Sequence, residues 1–370
     1  WLKSRIRVPL LTTKMVAEQD GRAHPSPQLQ RHASGFLLGE SVESSHGSIN
    51  YQLWGDSCRE RPLVVTIHGL LGAMHAYAGV AAKMASHGFN VLTFDLYGFG
   101  LSKSPRKRFD AELYVQQTLE LLSLLGYGEK KFYLIGFSMG GVIAMELARQ
   151  FPERVVRSLL VAPAGLLSLS RSERCGIMGL RAARTLHIPA ASALAKLSRY
   201  AGRMSVDFEP DGTDAEKCRQ AAADNARMFW SDPEKYTKAW IKSVRDMRLS
   251  GGQKLYERLA QSGAEVMFLW GDSDGTVPLQ EVQDDLRTFF PTAPVLVVKN
   301  AGHSLLLEHS EAVAYNALYW FNGAASPVAA PAPLAEPAMP RARPVSVRED
   351  RRAASGMPAP VAWPVQTVTV

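Results

Sequence analysis

The chain has 370 residues, of which 46% are hydrophobic and 21% charged, and these proportions are typical of a folded globular protein rather than a disordered or fibrous one. No uninterrupted apolar run reaches the roughly 18 residues that a membrane-spanning helix needs, so the sequence predicts no such span. The net charge of +7 arises mainly at the two ends of the chain, which argues against a nucleic-acid-binding domain.

The three cysteines, Cys58, Cys175 and Cys218, have neither CxxC nor Cys/His spacing. This pattern predicts neither a disulfide framework nor a zinc site and favours a reducing compartment. We therefore expect a protein without metal or cofactor, located in the cytoplasm or at the periphery of a membrane.

Residues 1–35 are predicted to form a flexible basic arm, because Lys3, Arg5, Arg7 and Lys14 stand among apolar residues near a terminus. The remnant of an organelle-targeting segment has the same composition and is the alternative.

Short apolar runs with few charges then alternate with helical patterns, in the order that predicts a parallel sheet covered by helices on both faces. An antiparallel pair over residues 36–42 and 48–53, turning at His46-Gly47, opens the series. The buried strands that follow are predicted at residues 63–67, 91–94, 132–135, 158–161, 266–269 and 295–298. The predicted fold is an α/β fold with a mostly parallel eight-stranded sheet, built from residues 36–163 and 265–323.

The interval 164–264 has no buried-strand signal, and helical patterns at 177–186, 191–200 and 215–229 predict a helical cap inserted after the sixth strand. Residues 168–205 carry seven basic side chains and one acidic one, interleaved with apolar residues. Such helices either rest on an anionic membrane surface or present a solvated face above an apolar cap interior. The last 47 residues, 324–370, hold nine of the 22 prolines and are predicted to be a disordered Pro/Ala-rich tail.

The strongest chemical signal is Gly136-Phe137-Ser138-Met139-Gly140, which joins the strand at 132–135 to a helix that ends near Phe151-Pro152. A serine at such a strand-to-helix turn is exposed above the sheet, and the glycines permit the close approach of helix and strand. Ser138 is therefore the candidate nucleophile.

A serine hydroxyl needs a base, and the base needs an acid to orient it. His303 follows the strand at 295–298, so it lies at the carboxyl end of the sheet, where ligands bind in such folds. Asp272 and Asp274 both follow the strand at 266–269 and are both candidates for the acid. The order serine, acid, histidine along the chain is the one this kind of site uses.

The developing negative charge also needs hydrogen-bond donors. The glycine-rich segment His68-Gly69-Leu70-Leu71-Gly72 follows the strand at 63–67, and the backbone N–H groups of Leu70 and Met139 are the predicted oxyanion donors. We expect the His68 side chain to brace its loop rather than to act as a second base.

These segments together resemble the α/β-hydrolase superfamily, in its cap-bearing branch of monoacylglycerol lipases, carboxylesterases, proline iminopeptidase-like enzymes and carbon–carbon bond hydrolases. The resemblance covers residues 35–322 and rests on five blocks in order: His68-Gly69, residues 94–102, the 136–140 turn, Trp270-Gly271-x-x-Asp274-x-x-Val277-Pro278 and Gly302-His303-x-x-x-x-Glu308. It implies that Asp274 is the acid, that Asp95 is structural, and that Glu308 marks the start of the last helix, which is predicted over about 308–321. Relatives that use an aspartate nucleophile are excluded by Ser138.

The resemblance and the residues together predict a metal-independent serine hydrolase of an uncharged or lipid-like ester. A serine aminopeptidase, a thioesterase or a carbon–carbon hydrolase would use the same three residues, and a noncatalytic binding protein on this fold is the alternative of another class.

Overall fold

A computed structural model of the chain describes residues 39–56, 58–168, 223, 227 and 229–323, together with the backbone of 365–368. The predicted basic arm, the cap helices predicted at 177–186 and 191–200, and most of the one predicted at 215–229 lie outside these residues. None of the described helices is long and apolar enough to cross a membrane.

Nine strands among the described residues form one sheet in the order β1-β2-β4-β3-β5-β6-β7-β8-β9. The first three in this order pair antiparallel and all other neighbours pair parallel, so the predicted α/β fold with a mostly parallel sheet is confirmed. The strands are β1 Glu40–Ser44, β2 Gly47–Trp54, β3 Leu63–Ile67, β4 Asn90–Phe94, β5 Phe132–Phe137, β6 Val155–Val161, β7 Val266–Gly271, β8 Val295–Val298 and β9 Val365–Val368.

The described helices cover both faces of the sheet. A 3-10 turn at Met74–Tyr77 leads into the first of them, and the helices are α1 Ala78–Ser86, α2 Ala111–Leu124, α3 Met139–Gln150, α4 Pro233–Asp246, α5 Gln253–Gln261, α6 Leu279–Phe289, α7 Leu305–Glu308 and α8 Ser310–Phe321. Strand β3 shows how the two layers share the sheet: Leu63 and Val65 pack into the core beneath α2, α3, α5 and α6, while Val64 packs into the core beneath α1 and α8. A strand that is buried on both faces needs apolar side chains at consecutive positions, and this continuous apolar run is the pattern from which β3 is predicted.

Within the interval between β6 and β7, the described residues contain α4 and α5. Helix α4 is fastened to the segment that follows β4, since Tyr236 Oη donates to the carbonyl of Gly100 at 3.3 Å and Lys242 Nζ to that of Pro105 at 3.0 Å. Helix α5 packs against α3, and Tyr256 Oη donates to the carbonyl of Ala164 at 2.8 Å. The cap itself, over 164–264, stays a prediction.

Among the expectations that differ from the structure, two concern the C-terminal part of the chain. Residues 365–368, placed in the disordered tail, form β9 beside β8, because the β-branched residues of Val-Gln-Thr-Val suit a strand wherever a parallel partner is available. Glu308 does not begin the last helix: it ends the four-residue helix α7, and the last helix begins at Ser310.

Candidate active site

Ser138 occupies the turn between β5 and α3 with a φ of 53° and a ψ of −116°, a backbone conformation that non-glycine residues rarely adopt. The flanking glycines explain how this turn is held so tightly. A Cβ atom on Gly136 would lie 2.7 Å from the Cβ atom of Ala144, and one on Gly140 would lie 2.0 Å from the carbonyl oxygen of Ile67. The helix therefore approaches β3 and β5 more closely than any side chain at either position permits.

The structure brings the predicted serine, histidine and acid together. His303 Nε2 lies 3.1 Å from Ser138 Oγ, and His303 Nδ1 lies 2.9 Å from Asp274 Oδ2. A carboxylate only accepts hydrogen bonds, so Nδ1 carries the proton and donates a hydrogen bond to Asp274. In the neutral ring Nε2 is then an acceptor that faces the serine hydroxyl.

Asp274 is held from its other side by backbone donors. Its Oδ1 accepts from the N–H of Thr276 at 3.0 Å and from that of Val277 at 2.8 Å, and its side chain has no exposed surface. Asp272, the other candidate, is exposed and accepts instead from the N–H of Ala301 at 3.2 Å. Of the two aspartates, only Asp274 contacts His303.

The imidazole of His303 is enclosed as well as hydrogen-bonded. Its residue is only 9% exposed, and the ring of Phe137 lies 4.9 Å away, centroid to centroid. Low exposure strengthens the electrostatic interaction between the ring and Asp274, because little water screens it. Sequence reasoning did not assign Phe137 a place beside the histidine, although its position next to Ser138 is a signal for it.

His68 is buried beside the serine and braces its loop, as expected. It accepts a hydrogen bond from the N–H of Leu96 through Nε2 at 3.0 Å, so its Nδ1 donates to the carbonyl of Gly69 at 2.8 Å. Burial lowers the pKa of His68 to about 4, since the charged ring would lose its hydration, and the nearby Asp95 only partly opposes this shift. A neutral ring bound at both nitrogens is a structural brace rather than a base.

The predicted oxyanion donors lie on the two segments that flank Ser138. Met139 is the first residue of α3, so its N–H has no acceptor within the helix. Leu70 follows Gly69, whose added Cβ atom would lie 3.3 Å from the Cβ atom of Ser138. Their roles as donors stay a prediction that this adjacency supports.

Asp95 is buried and organises the neighbouring loop. Its carboxylate accepts from the N–H of Met74 at 2.8 Å, from the N–H of Leu101 at 2.8 Å and from Asn50 Nδ2 at 2.7 Å. The carboxylate thus accepts three hydrogen bonds from groups within the fold, which agrees with a structural role.

With this fold and this geometry, the chain belongs to the α/β-hydrolase family. The family profile described as "alpha/beta hydrolase fold" matches residues 62–310, more than half of the chain.

Particular relatives are similar over parts of the chain. A proline iminopeptidase of Saccharolobus solfataricus is 33% identical over 123 residues, which are 33% of this chain and 39% of the relative. A probable lysophospholipase of Arabidopsis thaliana, BODYGUARD 4, is 26% identical over 256 residues, 66% of this chain and 60% of the relative. The chain thus spans less than two thirds of the length of these curated relatives.

Among solved structures, a thermophilic esterase from Thermogutta terrifontis superposes with a TM-score of 0.61 at 19% identity, covering 77% of this chain and 98% of the esterase. This likeness shows the fold.

Proposed function

We propose that the chain is a serine hydrolase that cleaves a carboxylic ester through an acyl-enzyme intermediate. The observation that carries the proposal is the continuous hydrogen-bonded series from Asp274 through His303 to Ser138, with separations of 2.9 Å and 3.1 Å. Both separations are hydrogen-bond distances, and the one between His303 and Ser138 is within the reach that proton transfer requires.

In the first step, Ser138 Oγ attacks the ester carbonyl carbon while its proton passes to His303 Nε2. The imidazolium then donates that proton to the departing alcohol oxygen, and the acyl group remains on Ser138. Asp274 keeps Nδ1 protonated and oriented, and its negative charge offsets the positive charge that forms on the ring.

In the second step, His303 takes a proton from water, whose oxygen attacks the acyl carbonyl. The tetrahedral intermediate collapses, the carboxylic acid leaves, and the proton returns from Nε2 to Ser138 Oγ. During both steps the N–H groups of Leu70 and Met139 donate to the oxyanion, and the positive end of α3 adds to their effect.

We infer an uncharged or lipid-like ester as the substrate. Support comes from the partial similarity to a probable lysophospholipase and from the fold that the chain shares with an esterase. The similarity to a proline iminopeptidase favours a second candidate, a serine aminopeptidase using the same three residues. Contact of the basic segment 168–205 with an anionic membrane is part of the lipid proposal.

A substrate series tests the choice. Hydrolysis rates are measured with p-nitrophenyl esters and monoacylglycerols of increasing acyl length and with aminoacyl amides, using wild type and Ser138→Ala. We expect esters to be hydrolysed, with an optimum acyl length, and the variant to be inactive. A preference for the aminoacyl amides would replace the esterase by the peptidase. Equal rates in the variant would contradict the serine mechanism.

A further inference from the structure

The loop that carries His303 is held by side chains that take no part in the proposed proton transfers. Residues 299–302 connect β8 to His303, and Asn300, Ala301 and Gly302 each have a backbone group bound by a different side chain. Asn300 has a φ of 53°, in the left-handed region that asparagine adopts more readily than most residues, so the loop turns at this position.

Two carboxylates bind the two N–H groups nearest to His303. Glu308 Oε2 accepts from the N–H of Gly302 at 2.8 Å, and Asp272 Oδ1 accepts from the N–H of Ala301 at 3.2 Å. A third residue, His309, donates from Nε2 to the carbonyl of Asn300 at 3.1 Å. We call Asp272, Glu308 and His309 the His303 clasp.

Asp272 also links this loop to the one that carries the acid. The N–H of Ser273, between Asp272 and Asp274, donates to the carbonyl of Ala301 at 3.0 Å, and the N–H of Asp272 donates to the carbonyl of Val298 at 3.0 Å. Together with the Asp272–Ala301 contact, these bonds join the two loops at adjacent residues. The distance between Asp274 and His303 is therefore set by a hydrogen-bonded connection outside the pair itself.

Glu308 contributes differently because it is buried. The residue is 5% exposed and ends helix α7, so its bond to Gly302 is shielded from competing water. A carboxylate–amide bond of this kind is stronger than a neutral one. Asp272 is exposed, so its bond competes with water and its contribution is smaller.

We propose that Glu308 and Asp272 are positioning residues for the hydrolysis: by binding the consecutive N–H groups of Gly302 and Ala301, they hold His303 within reach of both Ser138 and Asp274. This inference rests on the proposed function. A displacement of about 1 Å at a reacting group costs up to roughly a hundredfold in rate, so a loss of the clasp acts on kcat.

The test compares alanine with the amide at each position, because glutamine and asparagine keep the accepting oxygen. We expect Glu308→Ala to lower kcat with a p-nitrophenyl ester about tenfold to a hundredfold at an unchanged KM, and Glu308→Gln to restore most of it. Asp272→Ala should lower kcat about threefold to tenfold, and Asp272→Asn should restore it. Glu281→Ala, which removes an exposed carboxylate from the first turn of α6, is the matched control and should leave kcat unchanged.

A second readout needs no substrate. The His303 Nδ1 proton, held against Asp274, should give a far-downfield NMR resonance that His303→Ala abolishes and that Glu308→Ala and Asp272→Ala broaden or shift. If Glu308→Ala fails to fold, the comparison of Asp272→Ala with Asp272→Asn, at an exposed position, tests the proposal by itself.

Folded alanine variants with wild-type kcat and an unchanged resonance would overturn the proposal that Glu308 and Asp272 position His303. Amide variants with a kcat as low as that of the alanine variants would overturn it as well. A wild type that hydrolyses no ester and is not labelled by a fluorophosphonate would instead contradict the proposed function. The resonance would still report on the clasp.

Discussion

A Cβ atom at position 140 would lie 2.0 Å from the carbonyl oxygen of Ile67, so Gly140 brings the start of α3 into direct contact with the end of β3. This contact places Ser138 beside the loop of Gly69 and Leu70. Glycine at position 140 is therefore needed for the placement of Ser138 in the site as well as for the turn itself.

Gly140→Ala is therefore expected to push α3 away from β3. We expect a loss of about 1–3 kcal/mol in the free energy of unfolding, the usual cost of overpacking, and a loss of ester hydrolysis. Urea denaturation and initial rates measure both effects. Gly128→Ala is the control, because its Cβ atom would lie 3.6 Å from the nearest atom, Ser123 Cα. An unchanged urea midpoint and rate in Gly140→Ala would show that the approach of α3 to β3 does not require glycine at this position.

Substitution of the two aspartates after β7, Asp272 and Asp274, should affect kcat to different extents. Asp274→Asn keeps the shape of the residue but no longer stabilises the imidazolium or fixes the protonated Nδ1, and we expect kcat to fall by roughly 10⁴-fold. Asp272→Asn keeps the acceptor for Ala301 and should stay within a few-fold of wild type. Steady-state kinetics on the two variants measures the difference. Equal losses of kcat in the two variants, or a larger loss in Asp272→Asn, would contradict the assignment of Asp274 as the acid.

The buried His68 predicts a pH dependence of stability. Its pKa is about 4 in the folded protein and about 6.5 in the unfolded chain, so below pH 6.5 the unfolded chain binds a proton that the folded protein does not. The stability that neutral His68 contributes is thus present above pH 6.5 and is lost as the pH falls toward 4. Between pH 7 and pH 5 this amounts to about 2 kcal/mol.

Urea denaturation of His68→Gln at pH 7 and pH 5 tests this expectation. We expect the variant to be less stable at pH 7 but to lose less stability than wild type on going to pH 5. His87→Gln, at an exposed position, should behave as wild type does. A pH dependence unchanged by His68→Gln would show that His68 does not remain neutral in the fold.

Much of the sheet could be predicted because its strands are buried on both faces and leave continuous apolar runs, as at Leu63–Ile67 and Val295–Val298. Strand β6 begins three residues before the predicted start at residue 158, because the half-buried Arg157 interrupts the apolar run. Strand β9 could not be predicted, because its partner β8 is distant in sequence and its surroundings are rich in proline and alanine.

The serine and the histidine of the site could be predicted from their position after buried strands. Sequence position alone could not choose between Asp272 and Asp274, because both follow β7 within three residues. The choice depends on which carboxylate receives the N–H groups of Thr276 and Val277 and faces His303. The role of Glu308 was missed because its partner, the N–H of Gly302, is a backbone group that no residue pattern reveals.

We propose that Ser138 is a nucleophile activated by His303. Labelling with a fluorophosphonate probe, followed by mass spectrometry of the modified peptide, tests it most directly. We expect stoichiometric labelling of wild type at Ser138 and full labelling of the exposed-serine control Ser86→Ala. We expect no labelling in Ser138→Ala or, at short times, in His303→Ala. Labelling that survives Ser138→Ala, or a folded wild type that is not labelled, would contradict it.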